Sequence, residues 1–250
     1  MKKILRQITP PIVYKIASRI KKKARNKNEQ VKYDSLKIEQ PLTSTTNTNL
    51  TNDGSKQALD IYWDEEFAKV LETWGSDNAW IEIQLLLINC KGKVLDIACG
   101  TGVTIEILSK YQNLSVYGCD ISDLLIQKAI RKGLPKDKLL ITDATNMEYE
   151  DDYFDYSYSI GSLEHFTEDG IYKFIKECYR TTKYGSFHQI PISRSGKDIG
   201  WITPYQSYFN NSQDWWLEKF KSSYKIVYHL RSKWENEDSV GMWFLCFKEL

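Results

Sequence analysis

The sequence predicts an α/β protein: a mostly parallel sheet with helices on both faces, closed at one edge by a C-terminal antiparallel hairpin. Three observations carry this. From residue 93 to 191, short apolar runs alternate with helical stretches of about 10–15 residues, the pattern of parallel strands joined by crossover helices. The first run ends in the glycine loop Asp96-Ile97-Ala98-Cys99-Gly100-Thr101-Gly102, and the second ends in an acid, Asp120. After residue 191 the alternation stops, and the last two runs, 224–231 and 242–248, are separated by a charged, turn-like loop.

In chain order, 59–74 and 78–89 read as two helices, the second capped by Asn78. Strand 93–98 precedes helix 103–111, and strand 115–120 precedes helix 122–132. Runs 139–142 and 153–160 are the third and fourth strands. Helix 169–181 then leads to strand 187–191, and the hairpin brings the total to seven. With 250 residues, 29.3 kDa and 42% hydrophobic content, such a body needs neither disulfides nor metal to fill its core. The 27% charged and 13% aromatic content excludes a disordered or collagenous chain. No apolar run reaches the roughly 18 residues of a membrane span; the best, 81–88, is interrupted by Glu82 and Gln84. Five cysteines without paired spacing and three histidines do not write a zinc site, so no metal is expected and the thiols read as small buried hydrophobes in a reducing compartment.

Charge is uneven. Residues 1–27 hold ten bases and no acid, which leaves 24 bases against 33 acids, a net of −9, on the rest of the chain. Thr9, Pro10 and Pro11 suit a helix start. Ile12, Val13, Ile16, Ala17 and Ile20 make one apolar stripe opposite Lys15, Arg19, Lys22 and Arg25. This predicts a basic amphipathic helix for an anionic membrane surface; docking on its own domain is the competing reading, and nucleic acid is the least favoured. Residues 28–57 read as a polar linker, with the run Thr43-Ser44-Thr45-Thr46-Asn47-Thr48-Asn49 at its heart, and 58–250 as the folded body.

At the loop, Gly100 and Gly102 let backbone approach a ligand, and an acid at the end of the next strand suits the two hydroxyls of a ribose. That is a nucleoside-cofactor site. A dinucleotide fingerprint would need a third glycine where Ile105 stands.

VLDIACGTG (94–102), VYGCDIS (116–122), ITDATNM (141–147) and FDYSYSIGSLEHF (154–166) resemble the successive motifs of class I S-adenosylmethionine-dependent methyltransferases. The resemblance runs over 92–191 and implies a Rossmann-like seven-stranded sheet with S-adenosyl-L-methionine as cofactor. It implies cofactor contacts from Asp96, Ala98, Gly100 and Gly102, from Asp120 and Ile121, from Asp143 and Ala144, and from Ser159. Two departures stand out. The family's Pro-Gly-Gly turn before strand five is Lys183-Tyr184-Gly185-Ser186. Ile160-Gly161-Ser162-Leu163 replaces the Asn/Asp-Pro-Pro-Tyr signature of amino-methylating nucleic-acid enzymes, which argues against a base amine as acceptor.

An alcohol acceptor gains from a general base, and His165, bordering the methyl site implied by the resemblance, is the candidate; packing of the cofactor loop is the alternative, and Glu164 shares the ambiguity. His188 is a weaker second. Trp201, Tyr205, Tyr208, Phe209, Trp215 and Trp216 crowd the segment where this fold builds acceptor pockets, either to stack on a sugar or to cover a sheet edge. Tyr62, Trp63 and Trp80 read as packing residues that can complete a lid. More loosely, the basic Pro-Pro helix and the lead-in at 62–87 resemble enzymes of bacterial surface-polysaccharide gene clusters. That implies a sugar hydroxyl on a lipid- or nucleotide-linked glycan as acceptor, in the cytoplasm at the inner membrane face. A lipid or small metabolite, or a membrane-tethered scaffold without turnover, are the alternatives. The residues leave the oligomeric state open.

Overall fold

The computed structural model of the chain describes residues 57, 59–203 and 206–249; the predicted basic helix and nearly all of the predicted linker lie outside them. Five strands run parallel: β1 (Gly92–Ile97), β2 (Leu114–Asp120), β3 (Leu139–Ile141), β4 (Phe154–Ile160) and β5 (Thr182–Ser193). A small hairpin, β6 (Trp201–Ile202) with β7 (Tyr208–Phe209), stands apart from the main sheet. β8 (Ile226–Glu235) and β9 (Ser239–Phe247) return antiparallel and close the sheet in the order β3-β2-β1-β4-β5-β9-β8. The seven-stranded, mostly parallel sheet with a C-terminal antiparallel pair is the predicted architecture.

The helices are α1 (Glu65–Val70), α2 (Ala79–Leu87), α3 (Val103–Leu108), α4 (Asp123–Arg131), α5 (Glu168–Thr181) and α6 (Gln213–Lys221). Side-chain oxygens start several of them: Ser122 accepts from Leu125 N at 3.2 Å, Thr167 from Gly170 N at 3.1 Å and Ser212 from Trp215 N at 3.2 Å. β1 is buried on both faces, Val94 packing with Ile83, Leu108 and Val116 on one side and Leu95 with Phe154, Ile171 and Phe174 on the other. Four of the cysteines are buried and Cys90 is half-buried, and all five are free thiols.

Two expectations need correction. The single helix read at 59–74 is broken into a 3₁₀ turn (Asp60–Trp63) and α1. Asp64 between them is extended, and its carboxylate accepts from Phe67 N at 2.7 Å, so a local cap outcompetes helix continuation. The fifth strand begins at Thr182, directly from α5, without a separate turn. Gly185 sits inside it because a Cβ there would fall 2.7 Å from the Cys246 carbonyl of β9.

The spatial order reverses between β1 and β4, with β2 and β3 on one side and β4 and β5 on the other. Such a switch point leaves a crevice beyond the carboxyl ends of the strands, where ligands of open α/β sheets bind.

Candidate active site

The loop leaving β1 alternates left-handed residues: Ala98 at φ 59°, Gly100 at φ 56° and Gly102 at φ 75°. For Ala98 that conformation costs on the order of 1 kcal/mol, a strain typical of ligand-binding turns. Asp120, at the end of β2, holds the loop from beside it. One oxygen accepts from Gly100 N and the other from Ser122 N, both at 2.9 Å. Asp96 is buried under the loop and bonded by the Thr104 hydroxyl. Burial raises the Asp96 carboxyl to about 7, with Thr104 opposing, and raises Asp120 to about 6, with the backbone N–H groups opposing.

These groups open onto a cavity of about 660 Å³, within the usual range for small-molecule sites. Asp96, Ala98, Gly100, Asp120, Ile121, Asp143, Ala144 and His165 all line it. Two predicted contacts do not. Gly102 is turned to α4, where a Cβ would meet Leu134 at 2.3 Å and Ala129 at 3.3 Å, so its role is close packing of the loop. Ser159 is fully buried, and its hydroxyl bonds His188 Nδ1 at 2.9 Å; strand alternation carries it to the far face of β4. His188 is fixed there too, with Nε2 2.9 Å from Ser186 Oγ and its ring stacked on Phe220, so it is no base for this cavity.

Beyond β4, a 3₁₀ turn (Leu163–His165) presents Glu164 and His165 to the cavity. His165 Nδ1 lies 2.7 Å from the Ser207 carbonyl, which assigns a ring proton to Nδ1. Burial lowers its pKa to about 4, with the Ser207 and Gly161 carbonyls opposing. Glu164 moves the other way, raised by burial to about 8. Its Oε1 lies 3.7 Å from His165 Nε2, and its Oε2 is buried without a partner.

The chain ahead of the sheet covers this cavity with Tyr62, Phe67, Leu71, Trp74 and Trp80. It is tied to α4 by Ser122 Oγ to Tyr62 O at 2.6 Å, Trp63 Nε1 to Asp123 at 2.7 Å, and ion pairs Glu65–Lys128 and Glu72–Lys132. Trp63 thus anchors the cover from outside, while Tyr62 and Trp80 line it. Of the crowded aromatics at 201–216, Tyr208 lines the cavity, whereas Trp201, Phe209, Trp215 and Trp216 pack with the core beneath it. Tyr205 lies outside the described residues.

Residues 94–185 match a family described as a methyltransferase domain. Over those residues the chain is similar to a methyltransferase domain. Over 100 residues the chain is 35% identical to a tRNA (carboxymethyluridine(34)-5-O)-methyltransferase of Arabidopsis thaliana, a match covering 40% of this chain and 23% of that protein. The chain therefore matches less than a quarter of that relative's length. The fold is similar to that of the Burkholderia thailandensis 1,6-didemethyltoxoflavin-N1-methyltransferase (TM-score 0.61, 13% identity, covering 83% of this chain and 95% of that one). It is also similar to a SAM-dependent methyltransferase of Aquifex aeolicus (TM-score 0.53, 18% identity, covering 73% and 98%).

S-adenosylmethionine is the cofactor that this match and these similar folds imply. The residues present fit it. Asp120 retains lone pairs for ribose hydroxyls, Asp143 and Ala144 stand beside it at the end of β3, and Gly100 keeps the loop free of a Cβ. Sequence reasoning did not single out Trp74, Gln189, Gln206, Trp234 or Asn236, which also line the cavity. They arrive from the cover, from β5, from the segment just before β7 and from the β8–β9 end, and no motif ties them to the loop.

Proposed function

We propose that this chain transfers the methyl group of S-adenosylmethionine to an oxygen of a small ring-bearing acceptor, a sugar hydroxyl of a surface glycan or of its lipid- or nucleotide-linked precursor. The observation that carries the reading is the juxtaposition, in one cavity, of the Asp120–Gly100 loop with a neutral, oriented imidazole and an aromatic wall. When bound, the cofactor supplies an electrophilic methyl on a sulfonium. Displacement at that methyl is accelerated mostly by alignment, which rigid strand ends and a tied cover favour. His165 is proposed as the base, held through Nδ1 by the Ser207 carbonyl, with Nε2 to take the acceptor proton as the new bond forms. Tyr62, Phe166, Tyr208 and Trp234 offer ring faces for a sugar, and Gln189 and Gln206 offer amides for its other hydroxyls.

A second reading takes tRNA as acceptor, because the Arabidopsis relative is named for it. That match spans 40% of this chain and 23% of that relative, and the −9 charge outside residues 1–27 disfavours phosphate backbone. The amphipathic stripe at 12–20 supports a place at an anionic membrane surface, and among the described residues no helix is long and apolar enough to cross a membrane.

Incubating the full chain with methyl-labelled cofactor and, separately, extracted glycolipid, free nucleotide sugars and bulk tRNA tests the proposal. Label on a sugar oxygen is expected. Label in tRNA alone overturns the sugar reading in favour of the second.

A further inference from the structure

Five carboxyl groups line the cavity (Asp96, Asp120, Asp143, Glu164 and Asp169) against a single lysine among the described residues, Lys173. That lysine is 60% exposed at the rim and paired with Asp169 at 2.5 Å. Inside, the acids differ in what they hold. Asp120 accepts two backbone N–H groups, Asp96 accepts the Thr104 hydroxyl, and Asp143 accepts both N and Oγ1 of Thr145 at 2.8 Å. Glu164 is 3% exposed, and one of its oxygens has no partner at all. The imidazole 3.7 Å from its other oxygen gives it no proton, because the ring proton faces the Ser207 carbonyl. A buried carboxyl oxygen without a donor is penalised unless a ligand completes it, and what completes it in so acidic a cavity is a cation.

We propose that Glu164 is the receptor for the sulfonium charge, its unpartnered oxygen meeting that cation and so distinguishing S-adenosylmethionine from its neutral thioether product. The inference rests on the cofactor assignment. In the empty site burial keeps Glu164 largely protonated at neutral pH, and a nearby positive charge favours the ionised form. Arrival of the sulfonium then expels the proton to solvent, whereas a neutral sulfur leaves it in place. The groups facing Glu164 do not substitute for it. His165 is neutral above about pH 4, and burial holds the Tyr62 phenol above its ordinary value. Asp96 and Asp120, raised to about 7 and 6, also titrate near neutrality, so the test must separate them by mutation.

Titration calorimetry of the full chain at pH 7, in buffers of different ionisation enthalpy, counts the protons released. S-adenosylmethionine is expected to release roughly 0.9 proton more than S-adenosylhomocysteine, the fraction of a group with a pKa near 8 that is protonated at pH 7. In Glu164→Gln that excess should vanish and affinity for S-adenosylmethionine should fall about 10- to 100-fold, while S-adenosylhomocysteine binds within about threefold of wild type. Equal proton release by the two ligands in the wild type, an excess that survives Glu164→Gln, or an unchanged ratio of affinities overturns the proposal and leaves the cofactor assignment standing. Failure of the wild type to bind either ligand overturns both. Should Glu164→Gln not fold, the wild-type ratio of the two affinities decides. It should rise by up to about tenfold per pH unit towards pH 8 and level off above it; a flat ratio overturns the proposal.

Discussion

Asp120 is anchored before any ligand arrives, since each of its oxygens already accepts a backbone N–H of the loop or the α4 start. Its loss therefore removes a ribose partner and releases the Gly100 turn together. Asp120→Ala should weaken S-adenosylhomocysteine binding by about 1.5–3 kcal/mol, the range for hydrogen bonds to a charged group; an unchanged affinity by calorimetry would place the ribose elsewhere. His165 is separable from the cofactor, because its Nδ1 anchor is Ser207 rather than the glycine loop. His165→Ala should lower turnover roughly 10²- to 10⁴-fold with S-adenosylhomocysteine affinity nearly preserved. A parallel fall in both would make His165 a packing residue. At this scale the loop and its acid were legible, because a glycine-loop turn and a strand-end carboxylate are local patterns. Ser159 was not: whether a strand residue faces the cavity or the helices depends on register, and here it faces His188.

Elements were legible where periodicity sets them and obscure where a side chain interrupts. The alternation of β1 to β5 with α3 to α5 followed from apolar spacing, but Asp64 divides the leading helix by capping α1. α2 shows how a contact remote in sequence fixes an element. Glu82 accepts from Ser232 Oγ at 2.7 Å, Lys233 N at 2.6 Å and Trp243 Nε1 at 2.6 Å, joining α2 to both strands of the C-terminal pair. Trp243 is fully buried, so Glu82→Ala orphans its indole N–H. Urea unfolding should show a loss of about 1.5–3 kcal/mol, with Glu82→Gln losing less. A Glu82→Ala midpoint equal to wild type would mean that apolar packing alone seats α2.

Across the molecule, the buried acids of the cavity link stability to pH. Asp96, Glu164 and Asp120 have folded pKa values raised above those of the unfolded chain, so the native state binds more protons than the unfolded state as pH rises through 6 to 8. Their contribution is full at low pH and is lost as pH rises to the folded pKa values. His165 and His188, lowered to about 4 and 3, act oppositely, but that effect is complete once pH exceeds about 6.5. The ligand-free protein should therefore lose stability between pH 6.5 and 8.5, seen as a falling urea midpoint; a midpoint that rises over that window contradicts the assigned burial of these acids. The overall sheet could be foreseen because one chain direction and one hairpin determine it. The cavity wall could not, since its aromatics come from the cover, the β7 region and the β8–β9 end.

The central claim, that this cavity is an S-adenosylmethionine site, is tested most directly by calorimetric titration of the full chain with S-adenosylhomocysteine and, in parallel, with NAD. With a left-handed Gly100 loop, Asp120 beside it and Ile105 in place of a third glycine, S-adenosylhomocysteine should bind and NAD should not. NAD binding more tightly than S-adenosylhomocysteine would contradict the account.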